Sequence, residues 1–227
     1  MKSKSSTKTV AILAMLCALA YAVMFFSRFL PPLVAMPPLK YDPKDIFIII
    51  GGFLYGPLAT VGMSIAVSLI EMITVSTTGP YGLLMNIVST CAFVFPATAI
   101  YQKFRSLKGA VCGLGIGVAF MVMVMMGWNY IITPLYMSAA PEAVGAMREV
   151  VAGMLIPVFL PFNLLKGSLN AAVTMAIYKP LSDALRKMGM LPKSGKGKAK
   201  ANIGVILVSV FAVATCVLFM LVFAGVI

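Results

Sequence analysis

The chain has 227 residues, 61% of them apolar and 11% charged, against roughly 45–50% apolar and about 25% charged in a soluble domain. With a mean hydropathy of +1.03, this excludes a soluble globular enzyme as the main body and points to an integral membrane protein. The net charge of +12 comes from 18 basic and 6 acidic residues, but the basic ones lie between apolar runs and form no single nucleic-acid-binding patch.

A membrane-spanning helix needs about 20 apolar residues, so charge-free runs mark the spans. The first is Val10 to Ser27, preceded by Lys2, Lys4 and Lys8. It resembles a signal peptide, with Ala18-Leu19-Ala20 as an A-x-A site, but that site lies inside the apolar run and further spans follow, so the run reads as an uncleaved first helix. A proline-rich loop (Pro31, Pro32, Pro37, Pro38) ends in Leu39-Lys40-Tyr41-Asp42-Pro43-Lys44-Asp45. Ile46 to Ile70 is uncharged but broken at Gly56-Pro57, which predicts a short second helix and a longer third. Thr77-Thr78-Gly79-Pro80 turns the chain into a fourth helix, Tyr81 to Gln102.

The stretch from Gly109 to Pro141 carries no charge and predicts a fifth helix, with Tyr130 to Met137 leading into a loop that holds Glu142, Arg148 and Glu149. The sixth is expected from about Met154 to Tyr178, with a polar extension to Arg186 and Lys187. Residues 1–190 thus read as an all-α, six-helix membrane domain, 191–202 as a flexible basic linker, and 203–227 as an additional C-terminal transmembrane helix. No internal repeat is visible, which argues against an inverted-repeat transporter.

With the N-terminus inside, thirteen basic residues fall on the inner side, including Lys103, Arg105, Lys108 and the seven between Lys179 and Lys200. Four (Arg28, Lys40, Lys44, Arg148) fall outside and Lys166 lies within the membrane. This bias predicts a multi-pass protein with a cytoplasmic N-terminus. Asp42, Asp45, Glu142 and Glu149 leave the outer face near neutral, which suits uptake of an uncharged or weakly charged solute.

No metal site is expected: histidine is absent, which also removes a His nucleophile–base pair or proton relay. Cys17, Cys91, Cys112 and Cys216 lie singly in apolar runs and read as small hydrophobes. The GK pairs at 195–196 and 197–198 have Met190 and Pro192 where a phosphate-binding loop needs its first glycine. Energy for active transport would therefore come from another subunit or an ion gradient.

An ionisable side chain at membrane depth costs roughly 2.5–3.5 kcal/mol and belongs at the bundle interior or a cavity; by position, Glu71 and Lys166 qualify. Asn163, Lys166 and Asn170, spaced i, i+3, i+7, share one helical face. Ser64, Ser68 and Glu71 form a second polar stripe, and Asn86 with Thr90 a third. Two readings stand side by side. Asn129, Asn163 and Lys166 could together read a flat heterocycle with adjacent carbonyl and N–H groups; or Lys166 pairs with Glu71 and the asparagines join helices. An intramembrane enzyme using Glu71 as acid or base is the alternative from a different class, and it would have only Lys166 as a second catalytic group. Ala14, Ala18 and Ala22 recur at i, i+4, i+8 and would let another helix approach closely, within the chain or from a partner.

Five stretches in order resemble the substrate-binding S components of energy-coupling factor (ECF) vitamin transporters, and among them the riboflavin-specific members. They are Leu39 to Asp45, Gly51-Gly52 with Gly56-Pro57, Thr78-Gly79-Pro80-Tyr81-Gly82 with Met85-Asn86, Asn129-Tyr130 with Thr133-Pro134, and Pro161-Phe162-Asn163-Leu164-Leu165-Lys166-Gly167. The resemblance spans about residues 8 to 187. It implies a non-enzymatic six-helix bundle, without a cofactor of its own, in a bacterial plasma membrane. Such a bundle binds riboflavin as transported ligand in an outward-facing cavity closed by the first loop, and works with a transmembrane T subunit and two ATP-binding subunits. It also implies that Asn129, Asn163 and Lys166 hold the flavin, that Tyr41, Asp42, Gly82 and Asn86 complete the substrate-binding set, and that the face of Ala14, Ala18 and Ala22 meets the T subunit. The C-terminal run from Ile203 to Ile227 departs from the six-helix pattern.

Overall fold

The computed structural model describes residues 3–29, 39–138, 140–189, 210, 211 and 214. The proline-rich segment 30–38, the basic linker 191–202 and, but for those three residues, the C-terminal run 203–227 lie outside the described residues.

Apolar side chains recur every fourth residue at Ile12, Leu16, Ala20 and Met24, and this row is the inner face of α1 (Ser3–Ser27). The opposite side, with Ala11, Ala14 and Ala18, is exposed, and Ala22 is half-buried. Helix α2 (Lys44–Tyr55) ends where Gly56 turns with φ of 99°, and Pro57 occupies the first position of α3 (Pro57–Thr74). Proline there forfeits no helical hydrogen bond, since that N–H would be unpaired in any case. α4 (Gly79–Phe104) returns to Arg105, and the Ser106 hydroxyl caps α5 (Leu107–Met137) by accepting from the Gly109 N–H at 3.0 Å. α4 and α5 approach so closely that a Cβ at Gly117 would collide with the Phe93 backbone carbonyl.

Two boundaries differ from the sequence expectation. α5 stays helical to Met137 with Pro134 inside it. The stretch holding Glu142, Arg148 and Glu149 is no loop: a 3-10 turn (Pro141–Ala143) leads into α6 (Val144–Met154). No proline lies inside α6, and the Arg148 guanidinium stacks on the Tyr130 ring at 5.8 Å, so Arg148 and Glu149 ride on a helix. A π-turn (Leu155–Phe159) joins α6 to α7 (Leu160–Lys187), whose polar end includes Arg186 and Lys187.

Five of the described helical segments, those of α1, α3, α4, α5 and the joined α6–α7 rod, are long and apolar enough to cross a membrane. Their outward side chains match a lipid solvent: Phe26, Ile73, Met123 and Ile156 are each at least two-thirds exposed. Inside, Phe53, Phe93, Met121 and Val67 belong to the continuous core. All described elements are helical, as expected for the bundle.

Candidate functional site

The C-terminal ends of α1, α3 and α5, the N-terminal ends of α4 and α7 and the segment before α2 meet at one end of the bundle. There they enclose a cavity of about 390 Å³, within the usual range of roughly 300–1,000 Å³ for small-molecule sites. All seven residues expected at the substrate site line it: Tyr41 and Asp42 from the segment before α2, Gly82 and Asn86 from α4, Asn129 from α5, and Asn163 and Lys166 from α7. Met24, Met85, Met125 and Phe162 supply apolar wall, and Tyr136 adds an aromatic ring.

The amides of Asn129 and Asn163 are held by their own helical stretches. Asn129 Nδ2 donates to the Met125 carbonyl at 2.7 Å and its Oδ1 accepts from the Thr133 hydroxyl at 3.0 Å. Asn163 Nδ2 donates to the Phe159 carbonyl, the last residue of the π-turn, at 2.7 Å. An amide side chain can make four hydrogen bonds, so both retain capacity for a ligand while their planes are fixed. Thr133, from the Thr133-Pro134 stretch, and the π-turn, which the sequence does not announce, are therefore part of how the site is oriented.

A network of buried charge lines the cavity and extends behind it, and it departs from the sequence expectation. Besides Glu71 and Lys166, the ionisable residues expected at membrane depth, Lys44 and Asp45 are inside the bundle with no exposed surface, because α2 begins at Lys44. Lys166 does not pair with Glu71. Glu71 Oε2 accepts from Lys44 Nζ at 2.7 Å and its Oε1 from Arg28 Nη2 at 3.2 Å. Lys44 also pairs with Asp42, and Arg28 Nη1 donates to the Val75 carbonyl at 2.9 Å. With both oxygens held by cations, Glu71 is a structural counter-ion, and the acid–base alternative loses its geometry. Lys166 Nζ donates to Ser89 Oγ at 3.2 Å and lies 4.0 Å from Asp45 Oδ2.

The segment that carries Tyr41 and Asp42 is tied down from both sides. Ser27 Oγ donates to the Tyr41 carbonyl at 2.9 Å, Tyr41 Oη donates to Asn170 Oδ1 at 2.7 Å, and Asn170 Nδ2 donates to the Asp42 carbonyl at 3.0 Å. Burial alone would raise the Asp42 carboxyl, but the charges of Lys44 and Lys166 outweigh it and hold it below the ordinary carboxylate range.

Comparison with known proteins gives a consistent picture. Residues 8–178 match the family described as ECF transporter, substrate-specific component. The chain is 29% identical to the riboflavin transporter FmnP of Bacillus subtilis (strain 168), over 75% of this chain and 90% of that protein. It is likewise 29% identical to the riboflavin transporter RibU of Staphylococcus aureus (strain TCH60), over 80% and 94%. A solved structure described as the S component of a bacterial ECF transporter superposes with a TM-score of 0.63 at 28% identity, covering 80% of this chain and 99% of that one.

Proposed function

The chain belongs to the substrate-specific components of ECF transporters, and from that premise we propose that it binds riboflavin from the outside of a bacterial cell and mediates its uptake. Membership makes it a multi-pass transport subunit and no enzyme. The observation that carries the riboflavin reading is the convergence of Tyr41, Asp42, Gly82, Asn86, Asn129, Asn163 and Lys166 on one cavity. Two oriented amides and an ammonium offer donors and acceptors to the carbonyl and N–H edge of an isoalloxazine ring, while methionines and Phe162 cover its faces. The names of the two relatives support the same ligand.

In this reading the N-terminus is cytoplasmic and the cavity opens outward, in keeping with the basic residues at the opposite end of the bundle. Riboflavin enters, the segment with Tyr41 and Asp42 closes over it, and ligand contacts made only in the closed state shift the population toward it. A T subunit and two ATP-binding subunits then supply the energy. Ala14 and Ala18 are exposed on α1, where small side chains would admit a partner helix. Replacing both by Leu is expected to leave riboflavin binding intact and abolish co-purification with the T subunit; retained co-purification would move the interface elsewhere.

The decisive measurement is riboflavin titration of the detergent-purified protein. Trp128, half-buried beside Asn129, serves as fluorescence reporter. A yellow preparation, or saturable quenching at submicromolar riboflavin, is expected. A colourless protein without quenching would overturn riboflavin as substrate and direct the search to other vitamins.

A further inference from the structure

Among the described residues, three cations and three anions share the buried end of the bundle, and their contacts divide them unequally. Arg28 has Glu71 and the Val75 carbonyl; Lys44 has Asp42 and Glu71. That leaves Lys166, whose nearest carboxylate is Asp45. Asp45 has no exposed surface and is not part of the cavity wall, yet both its oxygens are held: Thr90 Oγ1 donates to Oδ1 at 2.7 Å and Asn170 Nδ2 to Oδ2 at 3.3 Å. A buried carboxylate without a counter-charge is strongly disfavoured, and Lys166 is the cation whose ammonium lies within 4.0 Å of Asp45. The other titratable groups that line the cavity with Lys166 are Arg28, Lys40, Tyr41, Asp42, Glu71 and Tyr136, and Lys44 on α2 pairs with Asp42.

We propose that Asp45 is a positioning residue for Lys166: held by Thr90 and Asn170, it keeps the ammonium against Ser89 at the cavity wall, where a ligand can use it. Asn170 also accepts from Tyr41, so the same carboxylate links the lysine to the segment that covers the cavity. Asp45 thereby sets affinity without touching the ligand. The binding part of the test rests on the riboflavin reading; the labelling part does not.

Riboflavin is titrated into the full-length protein carrying Asp45→Asn or Asp45→Glu, each with Lys166 intact and in a Lys166→Met background. Asp45→Asn is expected to weaken binding about tenfold or more, the size of one lost charged hydrogen bond. Asp45→Glu is expected to restore most of the affinity. In the Lys166→Met background Asp45→Asn is expected to cost about twofold or less, because residues acting through one contact are non-additive. Unchanged affinity in Asp45→Asn, or the same loss in both backgrounds, would overturn the proposal.

A second readout needs no vitamin: the rate at which a small amine-reactive reagent acylates Lys166, followed by peptide mass spectrometry. Several-fold faster labelling is expected in Asp45→Asn, and an unchanged rate overturns the proposal. If Asp45→Asn does not survive extraction, Thr90→Val, which loosens the carboxylate without removing it, is judged by the same labelling criterion. Failure of the wild type to bind riboflavin would refute the substrate reading alone, since labelling still decides the role of Asp45.

Discussion

Replacing Lys166 by Met is expected to weaken riboflavin binding by about 10- to 150-fold, because a hydrogen bond from a charged donor contributes about 1.5–3 kcal/mol. Lys166 is 6% exposed, so water cannot readily substitute for the missing ammonium in the bound state. Methionine keeps the length and apolar stem of the side chain, which separates the charge from the packing. Asn163→Ala is expected to fall in the lower part of the same range, since its amide is neutral and spends one N–H on the Phe159 carbonyl. Equilibrium titration of the two variants checks this, and wild-type affinity in both would remove these residues from the binding site.

The largest effect on the fold itself is expected at Lys44. Its ammonium has no exposed surface and is shared between Asp42 and Glu71. Lys44→Met leaves Asp42 without its partner at close range and gives Glu71 only Arg28. Removing one member of a buried ion pair typically costs about 3–5 kcal/mol, so a marked fall in thermal stability in detergent is expected. Adding Glu71→Gln to Lys44→Met is expected to recover part of that loss by deleting the orphaned charge. If the double variant is less stable than Lys44→Met, the pairing is not what stabilises this end of the bundle.

The legibility of these features in the sequence follows from how local each one is. The break between α2 and α3 is readable from Gly56-Pro57, because a turn and a first-position proline are properties of adjacent residues. Asn163, Lys166 and Asn170 are readable as one face because helical periodicity places them there, and all three are buried. The cavity itself is legible only through motif resemblance, since its walls come from five helices and the segment before α2. Lys44 and Asp45 read as a solvated loop because their partners lie far along the chain, at Glu71, Thr90, Lys166 and Asn170. Charge misled in the same way at Arg148, where clustered polar residues suggested a loop and the chain forms a helix. The tight α4–α5 contact has a local signal in the sequence: Gly109, Gly113 and Gly117 recur every fourth residue on α5.

The pairing of Arg28, Lys44 and Lys166 with Asp42, Asp45 and Glu71 balances the charge of this buried end to zero when all six are ionised. A single uncompensated charge crossing the bilayer would couple to the membrane potential by about 2.3 kcal/mol per 100 mV. If ATP hydrolysis in the partner subunits reorients the loaded subunit across the bilayer, a balanced cluster carries no net charge through the field, so transport would be electrically silent at this site. Uptake by proteoliposomes containing the assembled transporter is accordingly expected to be indifferent to an imposed voltage. A voltage-dependent rate would mean that one of the six groups changes its protonation during the cycle, or that charge elsewhere in the complex crosses the field.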